Sequence, residues 1–237
     1  MEVGRGTISS IMGVGEYIID LVPVDVVCNT LITAAWANSF MRTSNELVVY
    51  NCISGQVNPF TWNGLNAGIV KYARKFPSKY VAMYPAFRYT TTRSIHILYE
   101  IFLHFLPAFI TDLMLRMQGK KPIMLKISKR FKMAADTGEY FSMHEWIFGV
   151  DNLTRMIRAA EETQLDADEF NCNIKSIDWD AYMEKYMLGI RQFLLKDEMS
   201  SLPMARKKLK KIIWLKRFFQ FLLSTATFYL IFNGIWN

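Results

Sequence analysis

The sequence predicts an α/β segment, then a mostly α-helical region, and finally a C-terminal transmembrane helix. Helix, strand and helix signals follow one another within residues 1–80, a succession typical of the end of an α/β domain. Strand signals then fade, and helical patterns dominate residues 81–200. Residues 218–236 are 19 consecutive uncharged positions. As a helix they would span about 28 Å, enough to cross a bilayer.

Apolar and turn residues place the elements of the α/β segment. The spacing of apolar residues predicts a helix over 25–41, started by the turn at Pro23. Residues 47–52 are β-branched and aromatic, which predicts a short strand. Thr61 is the expected N-cap of a helix that runs through Trp62.

The region over 81–200 is predicted as a set of amphipathic helices. Residues 122–135 form a basic amphipathic segment, and Asp151 is the expected N-cap of a helix that ends near residue 164. Asp178 is the expected N-cap of another helix, and residues 199–203 are predicted as a linker. The helix after Asp178 carries an apolar stripe that we interpret as core packing. The stripe consists of Trp179, Tyr182, Met183, Tyr186, Met187, Ile190, Phe193 and Leu194.

A second apolar stretch, residues 95–117, is long enough to span a bilayer but contains Glu100 and Asp112. Pro107 removes a backbone donor near its middle, which predicts two short helices that meet at a kink. Three placements are open: a helical hairpin in the core, a monotopic segment in one leaflet, and a second crossing. The first two are favoured over the third. His96 and His104 lie in this stretch without a neighbouring metal-ligand partner, so we expect them to pack rather than to catalyse.

The net charge of +7, from 28 basic and 21 acidic residues, is concentrated in one segment. Residues 206–217 hold seven basic residues and no acidic one, so the rest of the chain carries equal numbers of both. A nucleic-acid-binding body is excluded, because neutralising phosphates requires a basic face across the fold. Disorder is excluded by a hydrophobic content of 51%. The basic flank consists of Arg206, Lys207, Lys208, Lys210, Lys211, Lys216 and Arg217.

These charges predict the orientation of the C-terminal apolar segment. Basic residues on its N-terminal side indicate a single span with the body in the cytosol. Cys28, Cys52 and Cys172 follow no metal or redox spacing and are expected to be reduced thiols, so no metal site is predicted. The predicted anchor residues are Phe218, Phe221, Leu222, Leu223, Phe228, Tyr229, Leu230, Ile231, Phe232 and Trp236.

Short motifs in a fixed order resemble the alcohol-forming fatty acyl-CoA reductase family, in its insect-like form, over nearly the whole chain. The motifs are Leu-Val-Pro-Val-Asp-Val-Val (21–27), Ala-Ala-Trp (34–36), Val-Tyr-Asn-Cys-Ile-Ser-Gly (49–55), Asn-Pro (58–59), Thr-Trp (61–62), Phe-Leu-Pro-Ala (105–108) with Asp112, Gly-Lys-Lys-Pro (119–122), Phe-Asn-Cys (170–172) and Ile-Asp-Trp (177–179).

The resemblance implies that residues 1–80 are the C-terminal portion of an extended Rossmann domain that binds NADPH in the whole family. Residues 81–200 would be the helical male-sterility domain, 201–217 a basic linker and 218–236 the anchor. It also implies reduction of long-chain acyl-CoA to a primary alcohol at the endoplasmic reticulum or the peroxisome. The partners would be a bilayer, fatty acyl-CoA and a full-length reductase, with no nucleic acid.

The sequence departs from the family pattern at the chemistry of the reaction. No Gly-rich phosphate loop is present, and no Tyr is followed by Lys four positions later. The nearest pairs, Tyr84 with Arg88 and Tyr89 with Arg93, are interpreted as incidental. We therefore expect no catalytic and no cofactor-binding residues in this chain, and no NADPH binding by the chain alone. The alternative is a non-catalytic, membrane-anchored lipid-binding or interaction protein. A transporter is disfavoured because one clear span cannot form a pore without oligomerisation.

Overall fold

The protein is mostly helical in a computed structural model that describes residues 1–40, 47–163 and 169–236. Side chains at a few of these positions, Leu223, Leu230, Ile231 and Trp236 among them, lie outside the described set. The helices are α1 (Glu2–Arg5), α2 (Val24–Phe40), α3 (Trp62–Lys75), α4 (Arg93–Tyr99), α5 (Leu106–Met117), α6 (Met124–Ser142), α7 (Asp151–Glu162), α8 (Trp179–Gly189) and α9 (Leu202–Trp236), with π-helices at Glu100–Phe105 and Ile190–Leu194 and 3-10 turns at Ile174–Ser176 and Met199–Ser201.

The strands form two small sheets. β1 (Ser10–Met12) pairs in parallel with β4 (Arg88–Thr90), and β2 (Ile18–Ile19) pairs antiparallel with β3 (Phe60–Thr61). The strand predicted over 47–52 is wrong, because none of these residues pairs with a described strand. Side chains hold this segment instead: Asn152 donates to the Val49 carbonyl and Asn51 donates to the Gly149 carbonyl. Among the described residues, the predicted α/β character is thus reduced to four short strands.

Two helix pairs form the core. Ala37 of α2 is buried against Leu153 and Met156 of α7, and α2 itself confirms the helix predicted over 25–41. Tyr72 and Ala73 of α3 are buried against Met183 and Met187 of α8. The core interpretation of the stripe is confirmed at the two methionines of α8 but is wrong at Tyr186, and at Phe193 and Leu194 of the following π-helix, which are 43%, 76% and 63% exposed.

Side-chain caps place the starts of two core helices where the sequence predicts them. The Thr61 hydroxyl accepts from the Gly64 amide at the start of α3, and the Asp178 carboxylate accepts from the Asp180 and Ala181 amides at the start of α8. Asp151 is the first helical residue of α7 rather than its N-cap. Its negative charge still lies in the first turn of α7, where it interacts favourably with the positive end of the helix dipole.

Helical backbone continues from Arg93 through Pro107 to Met117, so the two short helices predicted around the proline, α4 and α5, are joined by a π-helix. The π-helix Glu100–Phe105 lies just before the proline, and the Leu106 amide donates to the Ile101 carbonyl five residues earlier. Pro107 then falls in the first turn of α5, where a missing N–H is tolerated. We call this continuous segment the surface helix.

The segment predicted as a basic linker, 201–217, is helical from Leu202 and continues into 218–236 as α9. Leu202, Ala205 and Leu209 are buried, so the first two turns of α9 pack on the body. The described anchor side chains, such as Phe228 and Tyr229, are exposed. Among the described residues, the surface helix is the one helix long and apolar enough to cross a membrane. The C-terminal span stays a prediction.

Candidate functional site

The surface helix turns a polar face inward. His96, Glu100, His104 and Asp112 recur at multiples of four residues and therefore lie along one side of the helix. His96 and Glu100 are 4% and 8% exposed, and Asp112 is 5% exposed. This polar side faces β1 and α6, so the body holds the helix along most of its length.

Buried hydrogen bonds at the N-terminal half join this face to the body. Ser10 Oγ lies 3.2 Å from His96 Nδ1, and Lys132 of α6 donates to Glu100 at 2.9 Å. The Ser9 amide donates to His104 Nε2 at 2.9 Å, so this nitrogen carries no proton. Burial lowers the pKa of both histidines, against the opposing effect of the Glu100 carboxylate. Both imidazoles are therefore expected to be neutral at physiological pH.

Asp112 holds the C-terminal half of the surface helix to the start of α6. Its carboxylate accepts from the Ile123, Met124 and Leu125 amides at 2.9, 2.8 and 3.0 Å. Burial acts to raise the pKa of Asp112, but these three hydrogen bonds outweigh it and the pKa lies below its usual value. The carboxylate thus supplies the N-terminal cap that Ile123, the residue before α6, cannot supply.

The Ser10, His96 and Glu100 side chains superficially resemble a nucleophile, a base and an acid. His96 lies between the other two, with its Nε2 atom 3.6 Å from Glu100 Oε1. However, Ser10 is 2% exposed and the adjoining cavity measures about 20 Å³, room for about one water molecule. Glu100 is also committed to Lys132. We therefore assign the cluster to packing, as the sequence predicts for His96 and His104.

The outer side of the surface helix is apolar and exposed. Side chains spaced by three or four residues form a stripe along it. Exposed fractions range from 44% at Leu106 to 81% at Met117. The core placement considered for this segment is wrong, because only its polar side is buried. The stripe consists of Leu98, Phe102, Leu106, Phe109, Leu113 and Met117.

A cavity of about 200 Å³ lies between α7 and the segment around Cys172. Its apolar lining includes Leu153 and Ile174, and Arg158 and Lys175 line it as well. Its volume is below the roughly 300 to 1,000 Å³ of typical small-molecule sites. It could hold part of an acyl chain or a small anionic group, not a whole acyl-CoA.

The basic flank is divided between the body and the solvent. Arg206 donates to the Lys75 carbonyl at 3.1 Å, and Lys208 donates to the Lys79 carbonyl at 3.0 Å. The Lys216 ammonium lies 4.3 Å from the centre of the Tyr84 ring. The remaining members of the flank are exposed, and within the described part of the chain they show no such hydrogen bond or ring contact. Sequence reasoning missed these tethers, because nothing in a run of basic residues shows which carbonyls lie nearby.

Neither Tyr–Arg pair is arranged as a proton donor with an activating cation. Burial raises the pKa of Tyr89, the opposite of what such a donor requires, and Arg93 pairs with Glu139 at 2.7 Å. Arg88 donates to the Tyr99 hydroxyl. Within the described ranges, no three His, Cys, Asp or Glu side chains come close enough to share a metal ion.

The glycines near the N-terminus, among them Gly6, Gly13 and Gly15, do not form a phosphate cradle either. A Cβ on Gly15 would lie 2.2 Å from the Asn63 side chain, and one on Gly13 would lie 2.9 Å from the Tyr89 ring. Gly6, at φ +76°, lies against the Met83 carbonyl. Protein atoms therefore fill the space beside these glycines, and the residues present do not fit the pyrophosphate of NADPH.

Comparison with known proteins gives the class to which this helical arrangement belongs. A family described as male sterility protein matches residues 103–197, from within the surface helix to a point shortly before α9. Fatty acyl-CoA reductase 1 of Mus musculus is 33% identical over 215 residues, which cover 90% of this chain and 41% of that protein. Fatty acyl-CoA reductase 1 of Pongo abelii is 34% identical over the same number of residues. Fatty acyl-CoA reductase 2 of Mus musculus is 29% identical over 98% of this chain and 44% of that protein.

The chain is similar over nearly its whole length to the C-terminal part of fatty acyl-CoA reductases. This confirms the resemblance inferred from the motifs. The chain spans about two fifths of the length of the curated relatives, 41% for the first of them.

Proposed function

We propose that this protein serves the reduction of long-chain fatty acyl-CoA to a primary fatty alcohol with NADPH as the reductant. The observation that carries the proposal is the similarity to proteins named fatty acyl-CoA reductase over 90% of the chain. The male-sterility match includes the surface helix from residue 103 onward, together with α6, α7 and α8. These elements would provide the acyl side of the reaction rather than its redox chemistry.

The 237 residues by themselves are not expected to reduce acyl-CoA. They contain neither a Gly-rich phosphate loop nor a Tyr-x-x-x-Lys pair, and protein side chains occupy the space beside Gly13 and Gly15. Hydride transfer needs a bound cofactor and a proton donor to the carbonyl oxygen. Both would have to come from residues outside this chain.

The test is an NADPH oxidation assay on the purified 237-residue chain in detergent, with a series of long-chain and very-long-chain acyl-CoA substrates. We expect no turnover above background. A full-length relative supplies the positive control under the same conditions. Turnover by the chain alone would refute the inactivity. The genomic sequence directly upstream of Met1 gives an independent check, because an in-frame Gly-rich loop and Tyr-x-x-x-Lys there would identify a longer enzyme.

We also propose that α9 anchors the protein at the endoplasmic reticulum or the peroxisome, with the body in the cytosol. Its basic flank and the exposed apolar residues that follow support this placement. Replacing Lys207, Lys210 and Lys211 with Glu should release the protein from membrane fractions or alter its protease protection. These three are chosen because they are exposed and, among the described residues, show no hydrogen bond to the body like that of Lys208. Unchanged fractionation would remove this role from the flank.

A second candidate function is that of a non-catalytic partner that pairs with a full-length reductase. The exposed apolar stripe on the surface helix favours it, since soluble monomers rarely expose a continuous apolar face of this length. Co-expression with a tagged full-length relative tests it. Co-purification that raises or lowers the turnover of the relative would support the pairing, and independent migration of the two proteins would exclude it.

A further inference from the structure

We propose that the surface helix rests in the plane of an anionic lipid membrane, with its apolar stripe among the acyl chains and the basic side chains of the adjoining loop and α6 at the headgroups. This contact would be separate from the predicted C-terminal span. It would hold the helical domain flat on the membrane.

The amphipathicity of the surface helix is the reverse of that expected for a soluble protein. A surface helix normally packs its apolar stripe on the core and exposes polar residues. Here His96, Glu100 and Asp112 are buried, whereas Phe102 and Phe109 are 58% and 55% exposed. Only an apolar environment outside the molecule makes this arrangement favourable.

The bonds on the inner face oppose a transmembrane position. The helix is 25 residues long, or about 37 Å, and the body contacts it from Ser10, near its start, to the amides at the start of α6, near its end. Crossing a bilayer would separate Glu100 from Lys132 and Asp112 from those amides. Each separation would leave a buried polar group without a partner. A helix that lies flat on the membrane keeps the hydrogen bonds of its polar face to the body and places its apolar face in lipid.

The charges of the chain segment that follows the stripe favour an anionic lipid surface as the partner. The chain has no acidic residue between positions 113 and 135, whereas six basic residues on the end of α5, the loop and α6 are exposed. Lys126, Lys129 and Arg130 form no ion pair with any carboxylate in the described part of the chain. A second copy of this chain would bring like charges together, so self-association is disfavoured. The six residues are Arg116, Lys120, Lys121, Lys126, Lys129 and Arg130.

Depth-dependent fluorescence quenching on the intact chain tests the proposal. An environment-sensitive fluorophore is attached at Leu98→Cys, Leu106→Cys or Leu113→Cys, which sample both ends and the middle of the stripe. Cys28→Ser and Cys52→Ser remove the two more accessible native thiols from all of these variants. Cys172 is kept because it is buried and the fluorophore should not reach it. The protein is reconstituted into vesicles of phosphatidylcholine with and without phosphatidylserine. Glu161→Cys, at an exposed position of α7, is the control site outside the stripe.

We expect all three stripe positions to be quenched equally by lipid spin labels placed near the headgroup, and the control site to respond only to aqueous iodide. Strong quenching of the middle position by labels near the end of the acyl chain, with shallow quenching of both ends, would show a crossing and overturn the proposal. Protection of all three positions from both lipid labels and iodide would show that protein covers the stripe, which would also overturn it.

The charge contribution has its own test. Neutralising Lys126, Lys129 and Arg130 to Gln should lower the docking equilibrium on phosphatidylserine vesicles about a hundredfold, since each basic residue near an anionic surface contributes about a fivefold factor. Lys175→Gln, Lys185→Gln and Lys196→Gln, exposed lysines elsewhere on the body, form the matched control and should change it little. Equal effects of the two triple variants would refute the role of α6. Circular dichroism checks that each variant keeps its helices.

Discussion

The buried ion pair between Arg191 and Asp197 is expected to fix α9 to the body, and replacing Asp197 with Ala tests this. The Arg191 side chain is 2% exposed and that of Asp197 is 0% exposed, with 3.3 Å between guanidinium and carboxylate. Arg191 also donates to the Glu198 carbonyl at 2.9 Å and the Ser201 hydroxyl at 2.6 Å. Asp197 accepts from the Lys79 amide at 2.9 Å. The pair therefore joins three parts of the chain: the π-helix after α8, the segment around Lys79, and the turn before α9.

Asp197→Ala would leave the Arg191 charge buried without its counter-ion. Removing one partner of such a pair costs about 3 to 5 kcal/mol. In a protein of this size each kcal/mol lowers the midpoint of thermal unfolding by about 2 to 4 °C. We expect a fall of about 6 to 20 °C, measured by far-ultraviolet circular dichroism in detergent.

An exposed ion pair supplies the matched control for this experiment. Asp180 pairs with Lys71 at 2.6 Å, but the two side chains are 60% and 56% exposed, so solvent screens the pair. Asp180→Ala should leave the midpoint nearly unchanged. If Asp197→Ala shifts it no further than Asp180→Ala, the buried pair does not stabilise the junction. The double variant Arg191→Met, Asp197→Leu should recover part of the loss, because it removes both charges.

Three further predictions concern pH, the core and a helix cap. Burial opposes ionisation of Asp197, but its bonds to Ser201, Lys79 and Arg191 hold its pKa below the usual value; its stabilising effect is then complete above the unfolded pKa of about 4 and lost as the pH falls through the lower folded value. Urea unfolding should show this acid loss in the wild type and less of it in Asp197→Asn. Met183→Ala, at a 1% exposed position between α3 and α8, should lower the free energy of unfolding by about 2 to 5 kcal/mol in the same assay. Thr61→Ala removes the bond to the Gly64 amide and should cost about 1 kcal/mol, whereas Thr61→Ser should restore most of it.

The elements that were predicted correctly depend on local interactions. The caps at Thr61 and Asp178 bond to amides two or three residues later, so the residue type and its position are enough to place them. The helix Val24–Phe40 follows from its apolar spacing in the same way. The strand predicted over 47–52 failed because a strand exists only with a pairing partner, and β2 pairs with Phe60–Thr61 instead.

The sequence by itself determined the resemblance to fatty acyl-CoA reductases, the order of the helices and the position of the charge excess, because motifs, helix caps and charge runs are local properties of the chain. Only the tertiary structure decided which side of the surface helix faces outward. That choice depends on Ser10, 86 residues before His96, on Lys132, 32 residues after Glu100, and on the start of α6, 11 to 13 residues after Asp112. These groups can bond only to polar side chains. The apolar side is left outside because the body satisfies the polar one.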